Sequence, residues 1–377
     1  MDYNNYQRTN NNDNSKLNTI VIAILAFFIG AGAFYAVLKL YPTVFIKETT
    51  KLEKNVTIND TGLAESVEKV YDSVVVVSTY KNGKGVASGT GFVYKKDGNK
   101  AFIMTNNHVI EDGNQILVTF TNQKETEVTV VGSDKYADIA VLSVDSDEII
   151  SVAELGSSKD ARIGDTAFAV GAPLDNAYSW TVTRGIVSGK DRLVEVSTSN
   201  SSSSDWVMSV LQTDAAINSG NSGGPLANAN GEVIGVTSLK LVSNGVEGMG
   251  FAIPIETALD YANKIINGEE ISQPYLGIYM INVADAYYSR EYYNILSALN
   301  VTSGVLVTDV EKGSDAEKGG LQKDDVIIKV DDTEISSLAY FRYVLYSHSV
   351  GDTISVTVNR NGVEKVLSVA LETKKTN

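Results

Sequence analysis

Ser222 sits in Gly220-Asn221-Ser222-Gly223-Gly224-Pro225, with glycine close on both sides. A loop of this kind adopts backbone conformations that side chains forbid, and it can turn several N–H groups toward one point. A hydroxyl beside convergent backbone donors is what acyl transfer asks of a nucleophile. The same residue types are common turn formers, so the stretch alone also reads as a tight surface turn. A serine nucleophile needs a base, and the base needs an orienting group. The chain has two histidines, His108 and His348. His108 follows the apolar run Ala101-Phe102-Ile103-Met104, so a strand end would carry it, whereas His348 lies between two serines at the end of a helical stretch and reads as incidental. Three aspartates compete for the orienting role. Asp138 abuts the apolar run Ile139-Ala140-Val141-Leu142, where a buried edge would let it accept a ring N–H from His108. Asp134 falls in a polar loop and reads as solvated, and Asp214 lies on the serine's own segment, too near Ser222 to sit behind the histidine.

Positioning such groups requires a rigid frame. From residue 74 to residue 254 short β-rich runs alternate with Gly, Asn and Asp. Regularly spaced short strands indicate an all-β barrel or sandwich, and two barrels of about six strands would use this length. An amphipathic helix over 63–71 leads in, and a helix over 255–266 leads out, closed by Asn267-Gly268. The Ser, Thr and Asn run over 197–204 is a long loop upstream of the serine, either a regulator of it or a solvated hairpin tip. A composition break at Gly268-Glu269-Glu270 separates a second block, 273–373, about one small domain in size. Strands are expected there over 276–280, 304–310, 325–330, 353–360 and 363–371, with a helix over 337–347. Asn361-Gly362 between two alternating runs is a hairpin signal.

The N-terminus is of another kind. Residues 1–16 are rich in Asn and Asp and cannot build a core. Residues 17–39 contain an uncharged apolar run which, at 1.5 Å per residue, makes about 30 Å of helix, the thickness of a bilayer core. Ala31-Gly32-Ala33 could serve a signal peptidase, but the run exceeds a signal core in length, so an uncleaved transmembrane anchor is expected. Residues 40–62 form a polar linker. Lysines after the span outnumber the basic residues before it, which opposes export of the C-terminal part.

The chain of 377 residues carries a net charge of −15, which argues against nucleic acid and against acidic lipid as partners. With no cysteines and only two histidines, thiol catalysis and a cysteine-bound zinc are excluded and a histidine-rich metal site is not expected.

The chain order His, Asp, Ser resembles the chymotrypsin-like proteases. The local pieces are closer still to the HtrA (Deg) family of serine proteases. They are Ser88-Gly89-Thr90-Gly91-Phe92, Thr105-Asn106-Asn107-His108-Val109-Ile110, Asp138-Ile139-Ala140-Val141-Leu142 and Val182-Thr183-Arg184-Gly185-Ile186-Val187-Ser188. The Leu211 to Leu226 segment, Gly231-Glu232-Val233-Ile234-Gly235-Val236 and Gly248-Met249-Gly250-Phe251-Ala252-Ile253-Pro254 complete the set. The resemblance implies a mainly β fold: a chymotrypsin-like double β-barrel protease domain over 63–268, then a PDZ-like domain over 273–373. It implies that Ser222 attacks, His108 is the base, Asp138 orients it, and the N–H groups of Gly220 and Ser222 form the oxyanion hole. Ala216 would floor the specificity pocket with Ile217 near it, favouring small aliphatic residues before the cut. Tyr275-Leu276-Gly277-Ile278 matches the loop that grips a peptide C-terminus, against the 337–347 helix. Further implications are ATP-independent endopeptidase action on unfolded or misfolded proteins, no cofactor, a homotrimer, and protease and PDZ domains outside a bacterial cytoplasmic membrane. Ser219 departs from the family, which commonly has Pro or Arg there, as does Gly171-Ala172-Pro173-Leu174-Asp175-Asn176-Ala177; the insertion 282–300 departs from the shortest PDZ pattern. Two rivals are a non-proteolytic chaperone or peptide-binding scaffold and a small-molecule esterase.

Overall fold

The computed structural model describes residues 14–40, 60–171, 180–196, 206–241, 248–299 and 301–376. Most of the expected tail and linker, the 172–177 departure and the 197–204 loop lie outside them. The chain divides into two units, Met1–Ile58 and Asn59–Asn377. In the first, α1 (Asn14–Leu40) contains the stretch Asn18–Val37, long and apolar enough to cross a membrane and not buried against protein.

The second unit opens with α2 (Asp60–Tyr71), which begins earlier than the expected 63. Six antiparallel strands then close a barrel: β1 (Val74–Lys81), β2 (Lys84–Asp97), β3 (Lys100–Thr105), β4 (Gln115–Thr119), β5 (Glu125–Asp134) and β6 (Ile139–Asp145). Between β3 and β4 lies a single turn, α3 (Asn107–Ile110). A second six-stranded barrel follows: β7 (Thr166–Gly171), β8 (Thr181–Val196), β9 (Trp206–Thr213), β10 (Pro225–Asn228), β11 (Val233–Thr237) and β12 (Gly250–Pro254).

The near-continuous apolar runs of β3 and β6 follow from burial of both strand faces. Side chains alternate sides along a strand. Ala101, Ile103, Ala140 and Leu142 fill the first barrel with Val75, Val77 and Phe120. Their neighbours Phe102, Met104, Ile139 and Val141 point the other way and meet Phe168, Val170 and Val210 of the second barrel. Each large side chain in this seam contributes about 1.5–3 kcal/mol relative to exposure. The seam therefore fixes β3 and β6 against the second barrel, and the ends of these strands carry His108 and Asp138. Helix α4 (Ile255–Ile266), at the bounds expected from its pattern, lays Ile255, Ala258 and Ala262 into the same cluster.

The remainder comprises β13 (Ser272–Pro274), β14 (Ile278–Asn282), α5 (Val283–Ala286), α6 (Arg290–Leu299), β15 (Val305–Val310), α7 (Asp315–Lys318), β16 (Val326–Val330), β17 (Thr333–Glu334), α8 (Leu338–Leu345), β18 (Thr353–Arg360), β19 (Val363–Ala370) and β20 (Lys374–Thr376). The main sheet runs β14-β15-β16-β18-β19. Asn361 and Gly362 both have positive φ, 54° and 80°, as the β18–β19 hairpin turn requires. The tyrosine-rich insertion is helical: Val283, Ala286 and Leu296 pack on Leu306 and Val326 as a second small core. The buried Asp325 pairs with the half-buried Arg360, Nε to Oδ1 at 2.6 Å. Helix α8 lies on β9. There Trp206 stands between Tyr136 and Tyr346, ring centroids 5.0 and 5.3 Å away, and Ser337 donates to Glu195 Oε1 at 2.9 Å.

Candidate active site

The end of β3 and the start of β6 bring His108 and Asp138 together. His108 Nδ1 lies 2.9 Å from Asp138 Oδ2 and 3.0 Å from Oδ1. The main-chain N–H of His108 donates to Oδ1 at 3.1 Å, and the hydroxyl of Ser238 donates to Oδ2 at 2.9 Å. Asp138 is 1% exposed, so its charge is met by these donors rather than by water. A carboxylate against Nδ1 favours the tautomer with the proton on that nitrogen and leaves the Nε2 lone pair available.

Ser222 comes from the loop between β9 and β10. Gly220 and Gly223 hold φ of 102° and 84°. A Cβ on Gly223 would stand 2.2 Å from the Thr90 carbonyl oxygen and 2.9 Å from the Asn106 nitrogen, so the serine loop is wedged against the strand end that carries His108. Thr90 braces it, its N–H donating to the Ser222 carbonyl at 2.9 Å and its hydroxyl to the Gly220 carbonyl at 2.7 Å. The Ser222 hydroxyl accepts from the Leu239 N–H at 3.0 Å. Among the described residues no hydrogen bond joins it to His108, and no acceptor meets the N–H of Gly220 or of Ser222. Because Ser238 holds Asp138 and the adjacent Leu239 holds Ser222, the three groups border one cleft between the barrels. Such a cleft suits acyl transfer: a hydroxyl, an oriented imidazole and two unused backbone donors.

The other candidates fall elsewhere. Asp134 is not solvated; it is 2% exposed and accepts from the N–H groups of Tyr136 and Ala137 at 2.9 and 2.7 Å, because its short side chain folds back on its own turn. Asp214 accepts from the Ile186 N–H at 2.6 Å and is not at the histidine. His348 faces Asp331 in the C-terminal domain at 3.4 Å. The Ala216 carbonyl accepts from Thr183 and Asn221, while Ile217 packs in the second barrel with Leu211 and Ala252. A Cβ on Gly250 would lie 2.6 Å from Ile217 Cγ1. In the second domain Gly277 has φ 73°, and Leu276 accepts from the Ala316 N–H at 3.0 Å. The Tyr275 hydroxyl donates to Glu311 Oε1 at 2.5 Å, and that bond, more than burial, pushes its pKa up to about 12. Ser238 and Glu311 were not singled out from sequence, since neither carries a flanking pattern.

Residues 89–236 match the trypsin-like peptidase domain, and residues 274–371 match the PDZ domain. The Do-like serine protease HtrB of Bacillus subtilis is 37% identical, with 84% of this chain and 72% of that one aligned. The Do-like HtrA of Lactococcus lactis is 36% identical over 86% of both chains. The chain belongs to the HtrA family of serine proteases. Its protease domain is that of a serine endopeptidase. The Bacillus subtilis HtrA is 40% identical, and the chain spans 64% of its length. Among solved structures, the serine endoprotease from Yersinia pestis aligns over 84% of this chain and 98% of its own, at 29% identity and a TM-score of 0.60. The HtrA-type protease AlgW with a decapeptide aligns over 84% and 98%, at 28% identity and a TM-score of 0.62. The family's double barrel and PDZ domain are thus the frame for the cleft described above.

Proposed function

We propose that this HtrA-family chain is an ATP-independent endopeptidase of unfolded or misfolded proteins, with Ser222, His108 and Asp138 as its catalytic residues. The carrying observation is the His108–Asp138 pair at 2.9 Å in the cleft that also holds Ser222. Ser222 turns from the Leu239 N–H to the imidazole by rotation about its Cα–Cβ bond. His108 then takes the hydroxyl proton at Nε2 as the oxygen attacks the peptide carbonyl, and returns it to the leaving amine. Asp138 orients the ring and stabilises the imidazolium. The N–H groups of Gly220 and Ser222 receive the developing oxyanion, each contributing ~3 kcal/mol to the transition state. Water repeats the attack on the acyl-enzyme.

Ala216 and Ile217 support a pocket for small aliphatic residues. The loop Tyr275-Leu276-Gly277-Ile278, beside β14 and α8, is read as the binding site for peptide C-termini. The apolar α1 supports a single-pass membrane anchor; membership of the HtrA family, against the lysine count after the span, is the ground for placing both domains on the extracytoplasmic side and for a homotrimer. Turnover of casein by the wild type and by Ser222→Ala tests the central reading. Loss of cleavage in the variant is expected. Equal cleavage would remove Ser222 from the mechanism, and no cleavage by either chain would leave the fold as a chaperone or scaffold.

A further inference from the structure

Asn106 lies between β3 and α3, in the N-cap position of the turn that carries His108, with extended backbone at φ −83° and ψ 150°. Asparagine in that position ordinarily accepts from the helix's own N–H groups. Here its side chain makes no capping hydrogen bond. The N–H of His108, which such a cap would take, goes to Asp138 Oδ1 instead. The Asn106 amide nitrogen donates to the main-chain carbonyl of Asp138, just before the neighbouring strand β6, at 2.8 Å. Its own Oδ1 is buried with no partner, and the residue is 0% exposed. An unpartnered buried oxygen is a standing desolvation cost that a simple cap would avoid. Asp138 in turn has a φ of 55°, the left-handed region that non-glycine residues rarely occupy. Something must hold it there, and the Asn106 amide grips the carbonyl of that same residue.

We propose that Asn106 is a positioning residue for the reaction, whose amide fixes Asp138 in its left-handed conformation so that the carboxylate meets His108. The asparagine gives up the cap, and the Asp138 carboxylate takes its place on the His108 N–H. One side chain thus sets both ends of the histidine–aspartate pair: the turn under His108 and the backbone under Asp138. This inference rests on the reading of His108, Asp138 and Ser222 as catalytic.

The test compares the full chain with Asn106→Leu, which keeps the branched shape and loses the donor, and with Asn106→Ala, which loses the donor without adding a group or a charge. Active sites are counted by organophosphonate labelling, so that misfolded protein is removed from the comparison. Per active site, kcat is expected to fall by about 10- to 100-fold, as for a displacement of a catalytic group by less than an ångström or so, with KM within about twofold. The acid limb of the kcat/KM profile should move to lower pH, because a looser carboxylate stabilises the protonated ring less. In a Ser222→Ala background the Nδ1–H resonance of His108 should move upfield. If Asn106→Leu does not fold, Asn106→Ala carries the same readouts. A loss explained wholly by fewer labelled sites, with the acid limb and the resonance unmoved, would overturn the inference. Retention of cleavage by both Ser222→Ala and His108→Ala would instead overturn the catalytic reading beneath it.

Discussion

Replacing Asp138 by asparagine changes one atom and sets three hydrogen bonds in conflict. Oδ2 now accepts from the ring nitrogen of His108 and the hydroxyl of Ser238, while Oδ1 accepts from the His108 main-chain N–H. An amide has one acceptor and one donor. With the NH2 group toward the main-chain N–H, two donors collide and neither can give way. With the NH2 group toward the ring, the imidazole can adapt by moving its proton to Nε2 and accepting at Nδ1. That second arrangement should prevail, and it leaves a proton on the nitrogen meant to deprotonate Ser222. The full negative charge behind the ring is lost as well. The expected fall in kcat is about 10³–10⁴-fold, close to that of this change in other Ser-His-Asp sites. At 1.36 kcal/mol per factor of ten, that is about 4–5.5 kcal/mol of lost transition-state stabilisation. Stability should change little, since a buried carboxylate facing an uncharged ring contributes little net stability. Steady-state cleavage of an internally quenched peptide at neutral pH, beside a thermal melt, reads both. An Asp138→Asn chain that melts like the wild type and keeps more than a tenth of its turnover would refute the assignment of the base and its orienter.

Four further outcomes follow from the geometry. Gly223→Ala needs a left-handed alanine, costing roughly 1–2 kcal/mol, and places a Cβ 2.2 Å from the Thr90 carbonyl oxygen; organophosphonate labelling of Ser222 should be lost, and undiminished labelling would contradict the wedge. Ile217→Ala should shift cleavage toward larger side chains, read by sequencing the products of a peptide mixture; an unchanged preference would count against the pocket assignment. Asp315 is held below the usual carboxylate range: burial opposes its charge but is outweighed by donors from Thr373, Glu372 and Lys318. Its stabilising effect is therefore full above the unfolded value of about 3.9 and fades as pH falls through the lower folded one. Asp315→Asn should cost about 1–3 kcal/mol at neutral pH and flatten the acid-side loss in urea titrations of the PDZ domain. Asp325→Ala leaves the half-buried Arg360 with, among the described residues, only the Gly320 carbonyl as acceptor and should destabilise that domain by about 1.5–3 kcal/mol, as a lowered urea midpoint.

The contact between His108 and Asp138 was legible because a base and its orienting acid are confined to few residue types in tight contexts. With two histidines in the chain and only one at a strand end, His108 had no rival. The α4 bounds and the Asn361-Gly362 turn were legible because local patterning determines them. Asp134 was misread because a short carboxylate in a polar loop can fold onto its own backbone, and composition does not register that. Ser238 and Asn106 were missed for a related reason. Their meaning lies in what they reach across the chain, Asp138 in both cases, and sequence neighbours carry no trace of it. The helices of the 282–300 insertion depend on a core supplied by Leu306 and Val326, outside the segment itself.

The aromatic contact between the domains gives the molecule a built-in optical gauge. The chain has two tryptophans. The Trp180 indole N–H is anchored to the Val74 carbonyl at 3.1 Å, inside the protease domain, whereas Trp206 shares its environment with Tyr346 of the other domain. In a Trp180→Phe chain, emission would come from Trp206 alone. Adding a peptide that lifts α8 from β9 should redden that emission toward the spectrum of Tyr346→Ala, and an unaltered spectrum on saturation would mean the two domains stay in contact. Contact between the two domains could then be followed in solution without attaching a label.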